Sequence, residues 1–277
     1  MPSLMNQKPP REFSDLKLWL QNHYISLPKK LQSVAIFVLN NPDVVALNTI
    51  ATISEQADVT PSAMVRFANS IGYKGFSDMQ SVFQGSMRHV PQPYSQRISS
   101  LDDSRRTGKT ELHRFGHAAS VSLDRMLQQV DEASILKAAE QLAKARTIYI
   151  AGQGRAAPVT TYLHYTLVKM GMQAILISGT EVEMVDKSRL IRTDEAMVAV
   201  SFSPYTANTY ELVNICLSQQ VPVVALTDST LSPIARPDDL HLEVLEEEVG
   251  GIRGLSATMC LAISLAVETG KIMVQKD

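Results

Sequence analysis

The sequence predicts two domains of different class, an all-α domain followed by an α/β domain. A length of 277 residues fits two domains at about 100–200 residues each. Apolar residues recur at helical spacing up to residue 83, whereas beyond residue 146 short apolar runs alternate with helical segments. Proline, glycine, serine and charged residues dominate the stretch between them. We therefore expect domains over 1–83 and 112–277, joined by a linker over 84–111.

The composition excludes several classes of protein. Hydrophobic residues make up 45% of the chain and charged residues 19%, so a sizeable core is expected. The two cysteines, Cys216 and Cys260, are too few for a disulfide scaffold, and we expect no metal site. There is no apolar secretion signal and no run of the roughly 18 apolar residues that a membrane helix needs. These features predict a cytoplasmic protein without a membrane partner.

The charge is divided unevenly along the chain. The net charge of the whole chain is −2, but residues 1–114 carry +4 and residues 115–277 carry −6. A mildly basic first part is compatible with binding to phosphate groups without requiring it. The division favours different partners for the two parts.

The first domain carries clear helix stop and start signals. A helical pattern that begins after Leu27 is expected to end at Asn40-Asn41-Pro42, and a second helix is expected over Leu47–Ala57. Thr60-Pro61 then predicts the start of a third helix, because threonine can cap exposed N–H groups and proline fits the first turn. Gly72 is suited to ending that helix.

Two helices joined by a short turn, with the second one capped, are typical of a helix-turn-helix. The second helix would place small and hydroxyl side chains in the major groove, with an arginine in reach of bases or phosphates and a lysine after the helix suited to a phosphate. The residues predicted to face DNA on this basis are Thr60, Ser62, Ala63, Arg66 and Lys74. A plain helical bundle with a solvated polar face would give the same pattern.

The segment from Leu47 to Phe76 resembles the helix-turn-helix of RpiR-type transcription regulators. The resemblance lies in Val59-Thr60, in Arg66-Phe67 and in the closing run Ile71-Gly72-Tyr73-Lys74-Gly75-Phe76. Met64 stands where the family typically has a threonine able to touch DNA, and it is therefore included among the predicted DNA-facing residues. The resemblance implies a double-stranded DNA operator as partner.

The second domain is expected to be a five-stranded parallel sheet sandwiched by helices. A long helical stretch over 112–145, with a break near Asp131, precedes the first strand. Apolar runs of four to seven residues, bounded by turns, are typical of buried parallel strands. The expected strands are Thr147–Ala151, Ala174–Ile177, Ala196–Phe202, Val221–Thr227 and Leu240–Leu245.

Two loops after strands are candidate anion sites. The first strand runs into Gly152-Gln153-Gly154-Arg155-Ala156, where glycines allow a tight turn and bring N–H groups near a ligand. The third glycine of a dinucleotide fingerprint is missing, which disfavours an NAD(P)-linked enzyme. After the third strand, the hydroxyls of Ser201, Ser203 and Thr206 can converge on a phosphate, or Ser203 or Thr206 can simply cap the next helix. Tyr205 either faces a sugar or packs on the sheet edge.

About residues 130–270 resemble the sugar isomerase (SIS) domain, a phosphosugar-binding module that follows the helix-turn-helix in RpiR-type proteins. Ala156 departs from the pattern because the family has a phosphate-binding serine there, and Pro204-Tyr205 replaces the family's Gly-x pair. A weaker phosphate grip, or a ligand other than an ordinary sugar phosphate, is therefore expected. The ligand-binding residues that the resemblance implies are Gly152, Gln153, Gly154, Ala156, Ser201, Ser203, Tyr205 and Thr206.

The resemblance implies a regulator of carbohydrate metabolism genes, controlled by a sugar or phosphosugar effector. The alternative is a phosphosugar isomerase with an accessory helical domain. An isomerase needs a group that moves a proton, and neither His164 nor His241 lies in a motif that indicates one. We expect no catalytic residues and no cofactor. Because helix-turn-helix proteins usually bind two half-sites, we expect a homodimer or homotetramer.

Overall fold

The computed structural model describes residues 8–87, 110–235 and 240–275. Contacts divide the chain into two compact units, Met1–Pro93 and Tyr94–Asp277. The last described helix of the first unit runs to Met87, four residues past the predicted boundary, and the next described helix begins at Glu111. Most of the predicted linker over 84–111 lies outside the described residues.

The first unit is helical throughout its described length. It contains a single 3-10 turn, Tyr24–Ser26, and the following α-helices: α1 Phe13–His23, α2 Lys29–Asn40, α3 Pro42–Leu47, α4 Ile50–Gln56, α5 Pro61–Ser70 and α6 Phe76–Met87. Helices α1 and α3 were not predicted. Pro42, which was expected only to end α2, also begins α3, where a first-turn proline is tolerated because its missing N–H is not needed.

The core of the first unit holds α5 in place from several sides. Helix α5 packs against α2, α4 and α6, and Phe67 from its middle is fully buried. Leu16 and Leu20 of α1, four residues apart and therefore on one helix face, are also fully buried. The Phe13 ring meets the Phe83 ring edge-on at 5.2 Å, which joins α1 to α6.

The second unit alternates helices with strands as the sequence predicts. Asp131 breaks the first long helical stretch by capping the second helix, where its carboxylate accepts the Ala133 N–H at 3.4 Å. The helices are α7 Glu111–Gln129, α8 Glu132–Leu142, α9 Ala157–Lys169, α10 Glu181–Arg189, α11 Ala207–Ser218 and α12 Ser256–Val274. The strands of the main sheet are β1 Ile148–Ala151, β2 Ala174–Leu176, β3 Ala196–Ser201, β4 Val223–Thr227 and β5 Leu240–Glu243.

The main sheet has five parallel strands in the order β2-β1-β3-β4-β5. Residues from α8, α9 and α12 form an apolar cluster on one face of the sheet, and residues from α10 and α11 form another on the opposite face. The predicted five-stranded sandwich is therefore confirmed. Because the chain leaves β1 for β2 on one side and later returns to β3 on the other, the strand order reverses between β1 and β3. Ligands of open α/β sheets bind at such a point.

A short antiparallel hairpin follows the sheet and was not predicted. Its strands are β6 Glu248–Val249 and β7 Ile252–Arg253, which pair across Gly250 and Gly251. Both glycines have positive φ angles, 57° and 72°, which suit a two-residue hairpin turn. The hairpin places Arg253 beside the end of the main sheet.

Within the described residues one helix, α12, is long and apolar enough to cross a membrane by length and composition. The helix is not a continuous apolar run, because Glu268 and Lys271 interrupt it. The apolar character of α12 has a structural explanation, because the helix packs against α8 and α9. Its buried residues are Ala257, Thr258, Leu261, Ala262, Leu265, Ala266 and Thr269.

Candidate functional site

Helices α4 and α5 form a helix-turn-helix. The turn between them is closed by the Val59 N–H, which donates to the Ser54 carbonyl at 2.9 Å, and Asp58 adopts a positive φ of 51°. Thr60 stands at the N-cap of α5 as predicted, but its side chain makes no capping bond to the backbone. The Thr60 hydroxyl instead hydrogen-bonds the Ser62 hydroxyl at 2.9 Å, so both lie together at the exposed start of the helix.

The two faces of α5 separate the predicted DNA-facing residues. Ser62 and Arg66 are exposed, whereas Ala63 is only 5% exposed and Met64 is fully buried. Ala63 and Met64 share the inward face with Phe67 because residues three and four apart lie on one side of a helix. The assignment of Ala63 and Met64 to DNA contact was therefore wrong, since their side chains belong to the core.

Two exposed residues of α5 were missed. Val65 and Asn69 lie on the outward face with Ser62 and Arg66. Val65, Arg66 and Asn69 follow Ser62 by three, four and seven residues, and this helical spacing could have identified the whole outward face. An asparagine on such a face can bind an adenine edge or a phosphate, and an apolar side chain can meet a thymine methyl group.

Lys74 is exposed in a tight turn after α5. Gly72 has a φ of 98°, which confirms its predicted role in ending the helix. The carboxylate of Asp78 accepts the Lys74 N–H at 3.0 Å and an Arg11 Nη1–H at 2.6 Å. The Lys74 N–H, followed by Arg11, holds the pKa of Asp78 below its usual range. The Asp78 carboxylate thus fixes the backbone that carries Lys74.

In the second unit, the loops after β1 and β3 lie side by side where the strand order reverses. Strands β1 and β3 pair directly, with Ala151 opposite Ala199. A Cβ atom on Gly152 would lie 2.7 Å from the Val200 carbonyl oxygen, so only glycine allows this approach of the first loop to β3. Gly154 has a φ of 57°, which also favours glycine.

The first loop presents only some of its predicted ligand-binding residues. The Gln153 amide donates to the Met184 sulfur of α10 at 3.1 Å, which ties the loop to the neighbouring helix. Gly154 is exposed. Ala156 is only 2% exposed and belongs to the apolar cluster under the sheet with Val159. The assignment of Ala156 to ligand contact was therefore wrong, because its methyl group packs inward.

The second loop contains Ser201, Ser203 and Thr206 in one turn between β3 and α11. Ser201 is buried at the end of β3, and its carbonyl accepts the Thr227 hydroxyl at 2.8 Å. The Ser203-Pro204 peptide is cis. Thr206 is the N-cap residue of α11, yet its side chain makes no capping bond and its hydroxyl bonds the Thr209 hydroxyl at 2.8 Å. Capping thus does not account for the Thr206 hydroxyl.

Asp228, at the end of β4, organises the second loop and was missed by the sequence analysis. Its carboxylate accepts the Ser203 N–H at 3.1 Å and an Arg253 Nη1–H at 3.2 Å. Arg253 also donates to the Glu248 carboxylate from Nε at 2.7 Å, which links the β6–β7 hairpin to the loop. No motif marks an aspartate at this place; the signal was its position after a predicted strand.

Tyr205 is engaged with the protein at the sheet edge. Its hydroxyl hydrogen-bonds Asp228 and Ser232. Burial, followed by the nearby Asp228 charge, raises the pKa of Tyr205 far above its usual value, so this phenol stays neutral. Of the two alternatives drawn from the sequence, the contacts favour packing at the sheet edge.

Comparison with known proteins agrees with the helix-turn-helix of the first unit and with the sheet of the second unit. The model described as "Helix-turn-helix domain, rpiR family" matches residues 14–89, and the SIS domain model matches residues 141–268. An uncharacterized HTH-type transcriptional regulator of Haemophilus influenzae is 26% identical over 223 residues, which cover 79% of this chain and 76% of the relative. The HTH-type transcriptional regulator HexR of Escherichia coli is 27% identical over 227 residues, covering 80% and 75%.

Solved structures share the fold. The Vibrio vulnificus NanR protein complexed with ManNAc-6P is 22% identical with a TM-score of 0.54, covering 94% of this chain and 91% of that one. The sugar isomerase domain of an RpiR transcription factor from Sphaerobacter thermophilus is 21% identical with a TM-score of 0.55, covering 61% and 98%.

The fold and the two sites define a two-domain protein in which a helix-turn-helix precedes a SIS domain. Its first domain matches the rpiR-family helix-turn-helix model, and two relatives that match about four fifths of the chain are named HTH-type transcriptional regulators.

Proposed function

We propose that this protein is a DNA-binding regulator of carbohydrate metabolism genes whose SIS domain binds a phosphorylated sugar. The observation that carries the proposal is the exposed face of α5, with Ser62, Arg66 and Asn69, in the same chain as the two loops that meet at the β1/β3 reversal. Exposed hydroxyl, amide and guanidinium groups on one recognition helix are the groups that read DNA.

The chemistry of the loops after β1 and β3 supports a sugar phosphate as effector. Gly152 and Gly154 bring the first loop against β3, and the hydroxyls of Ser201, Ser203 and Thr206 lie in the adjacent loop before α11. Glycine loops, hydroxyls and helix N-termini are general features of phosphate sites. The NanR structure that shares this fold is a complex with ManNAc-6P, which supports the same class of ligand here.

We propose that the chain is not an isomerase. His164 hydrogen-bonds the carbonyl of Ala174, the first residue of β2. This bond lies at the amino end of the parallel strands, whereas the candidate loops follow their carboxyl ends. His241 lies on β5, which β4 separates from β3. The carboxylate of Glu243 accepts the Thr230 N–H at 3.0 Å. None of these contacts places a proton-transferring group at the loops after β1 and β3, which supports a role other than isomerisation.

We further propose a cytoplasmic homodimer or homotetramer, because an operator with two half-sites is matched by a symmetric protein. Sedimentation equilibrium of the full chain measures its mass in solution. A monomer that binds a palindromic duplex as a single copy would contradict this part of the proposal.

The experiment that tests the proposed function has two arms on the full chain. Selection from a random duplex library should recover a defined sequence, bound at least about 10³-fold more tightly than random DNA. A thermal-shift screen should show stabilisation by phosphorylated hexoses and not by the matching free hexoses. Enrichment of no sequence, or equal responses to both sugar sets, would contradict the proposal.

A further inference from the structure

The guanidinium of Arg155 lies in the first loop without an acceptor. Arg155 stands between Gly154 and Ala156 in the 3-10 turn that joins β1 to α9. Its Nη1 nitrogen is buried, and among the residues that the structure describes none accepts a hydrogen bond from it. A buried donor without a protein partner is costly, and in native proteins such a donor is satisfied by a water, an ion or a ligand.

The other described cations near this edge of the sheet are already engaged. Arg253 is bound to Asp228 and Glu248. Lys187 donates from Nζ to the carbonyl of Ser178, just after β2, at 2.7 Å. Arg155 is therefore the cation that this part of the described chain offers to an anion at the β1/β3 reversal.

The neighbourhood of the second loop makes a dedicated cation necessary. The Asp228 carboxylate lies against the Ser203 N–H, inside the loop that would receive the anion. Arg253 offsets this negative charge at 3.2 Å and is engaged in doing so. An anion placed beside Ser203 needs a further positive charge to balance it.

We propose that Arg155 binds the phosphate of the effector directly and makes the site between the loops after β1 and β3 selective for phosphorylated over neutral sugars. This inference rests on the proposed function and assigns its specificity to one residue. It also explains how the loop can hold phosphate with an alanine at 156: a charged donor one residue earlier takes the place of a serine hydroxyl. An arginine fork donates two parallel hydrogen bonds to a phosphate, which a lysine does not.

The same observation predicts an unusual effect on stability. In the free protein the Arg155 Nη1 donor is buried and unsatisfied, so replacing the side chain by methionine removes an unfavourable group. The Arg155→Met variant should unfold at the same temperature as wild type or higher. A purely structural arginine would show the opposite, because its removal would lower the midpoint of unfolding.

The test compares Arg155→Met and Arg155→Lys with wild type, all as full chains. The matched control is Arg189→Met, which makes the same chemical change at an exposed position of α10. The probes are inorganic phosphate and a panel of hexose 6-phosphates with their free hexoses, measured by titration calorimetry and thermal shift. We expect Arg155→Met to weaken phosphate-bearing probes by about 10- to 100-fold and Arg155→Lys by less. Arg189→Met should bind as wild type does.

Each outcome separates the inference from the proposed function. If Arg155→Met binds hexose 6-phosphates as tightly as wild type, the role of Arg155 is overturned and the sugar-phosphate effector stands. If Arg155→Met loses binding but also unfolds at a lower temperature than Arg189→Met, the residue is structural and the inference is again overturned. A wild-type protein that binds none of the phosphorylated probes overturns both.

Discussion

Arg66 is the exposed cation of the recognition helix, and its environment leaves it free to meet DNA. Arg66→Ala should weaken binding to the selected duplex by about 1–3 kcal/mol while binding to random duplex changes little, because a base contact discriminates between sequences. Fluorescence anisotropy with both duplexes measures the two affinities. The exposed position predicts an unchanged unfolding midpoint for the variant.

Lys74→Ala provides the comparison, because a phosphate contact carries no sequence information. This variant should weaken both duplexes together and reduce the slope of log affinity against log salt by about one unit. Equal losses on both duplexes for Arg66→Ala would show that Arg66 meets only phosphate. Unchanged affinity for both would remove it from the interface.

Ala156 offers a test of the loop at the residue scale. Its methyl group is buried in the apolar cluster, so Ala156→Ser places a hydroxyl where no partner is described and should lower the free energy of unfolding by about 1–3 kcal/mol. Urea unfolding measures this loss, with Ala133→Ser at the exposed start of α8 as control. An Ala156→Ser protein of normal stability that binds phosphate more tightly would show that residue 156 faces the ligand.

At the scale of elements, the Asp78 carboxylate supports the turn after α5 by accepting the Lys74 N–H. Because the folded-state pKa of Asp78 is lowered, its contribution to stability is present above its unfolded pKa of about 3.9 and is lost as the pH falls through the folded-state value. Wild type should therefore be more stable than Asp78→Asn at neutral pH, and the difference should vanish in acid. Thermal unfolding of both proteins between pH 7 and pH 2 measures it.

A difference in stability that stays constant across this range would contradict the ionic role of Asp78. Asp124→Asn serves as a control, because Asp124 is exposed within α7 and away from its N-terminus. Its stability profile should follow that of wild type.

The elements predicted well are those with strong local signals. The five strands were found to within three residues at each end because buried parallel strands are continuous apolar runs bounded by turns. Helix α1 was missed because Leu16 and Leu20 lie in a short apolar run within a mostly polar stretch of 26 residues. Only the packing of α1 against α6 shows which face of the helix is buried. The β6–β7 hairpin has two residues in each strand, too few for a periodic pattern.

In the candidate sites too, features with local sequence signals were predicted and features that depend on long-range packing were not. Sequence spacing located both loops at the β1/β3 reversal and the outward position of Arg66, because glycine and capping signals are local. Spacing did not show that Ala156 points inward, since its burial depends on packing between elements distant in sequence. Met64 was assigned to DNA through the family resemblance, although its spacing of three residues from Phe67 already favours the core. The same holds for the partners of Asp228, which come from β3 and the hairpin.

For the whole molecule, we propose that one chain joins DNA recognition to the sensing of a sugar phosphate. If DNA and the sugar phosphate are coupled through the protein, each ligand changes the affinity for the other by the same factor. This reciprocity distinguishes a regulator from a chain that merely carries two independent binding domains.

The most direct measurement is the affinity of the full chain for its selected duplex with and without a saturating hexose 6-phosphate from the panel. The account predicts a change in the DNA Kd of about 5- to 150-fold, the usual range of allosteric coupling, and an equal factor when sugar-phosphate affinity is measured with and without the duplex. The matching free hexose should change neither affinity. An identical DNA Kd with and without bound sugar phosphate would contradict the account.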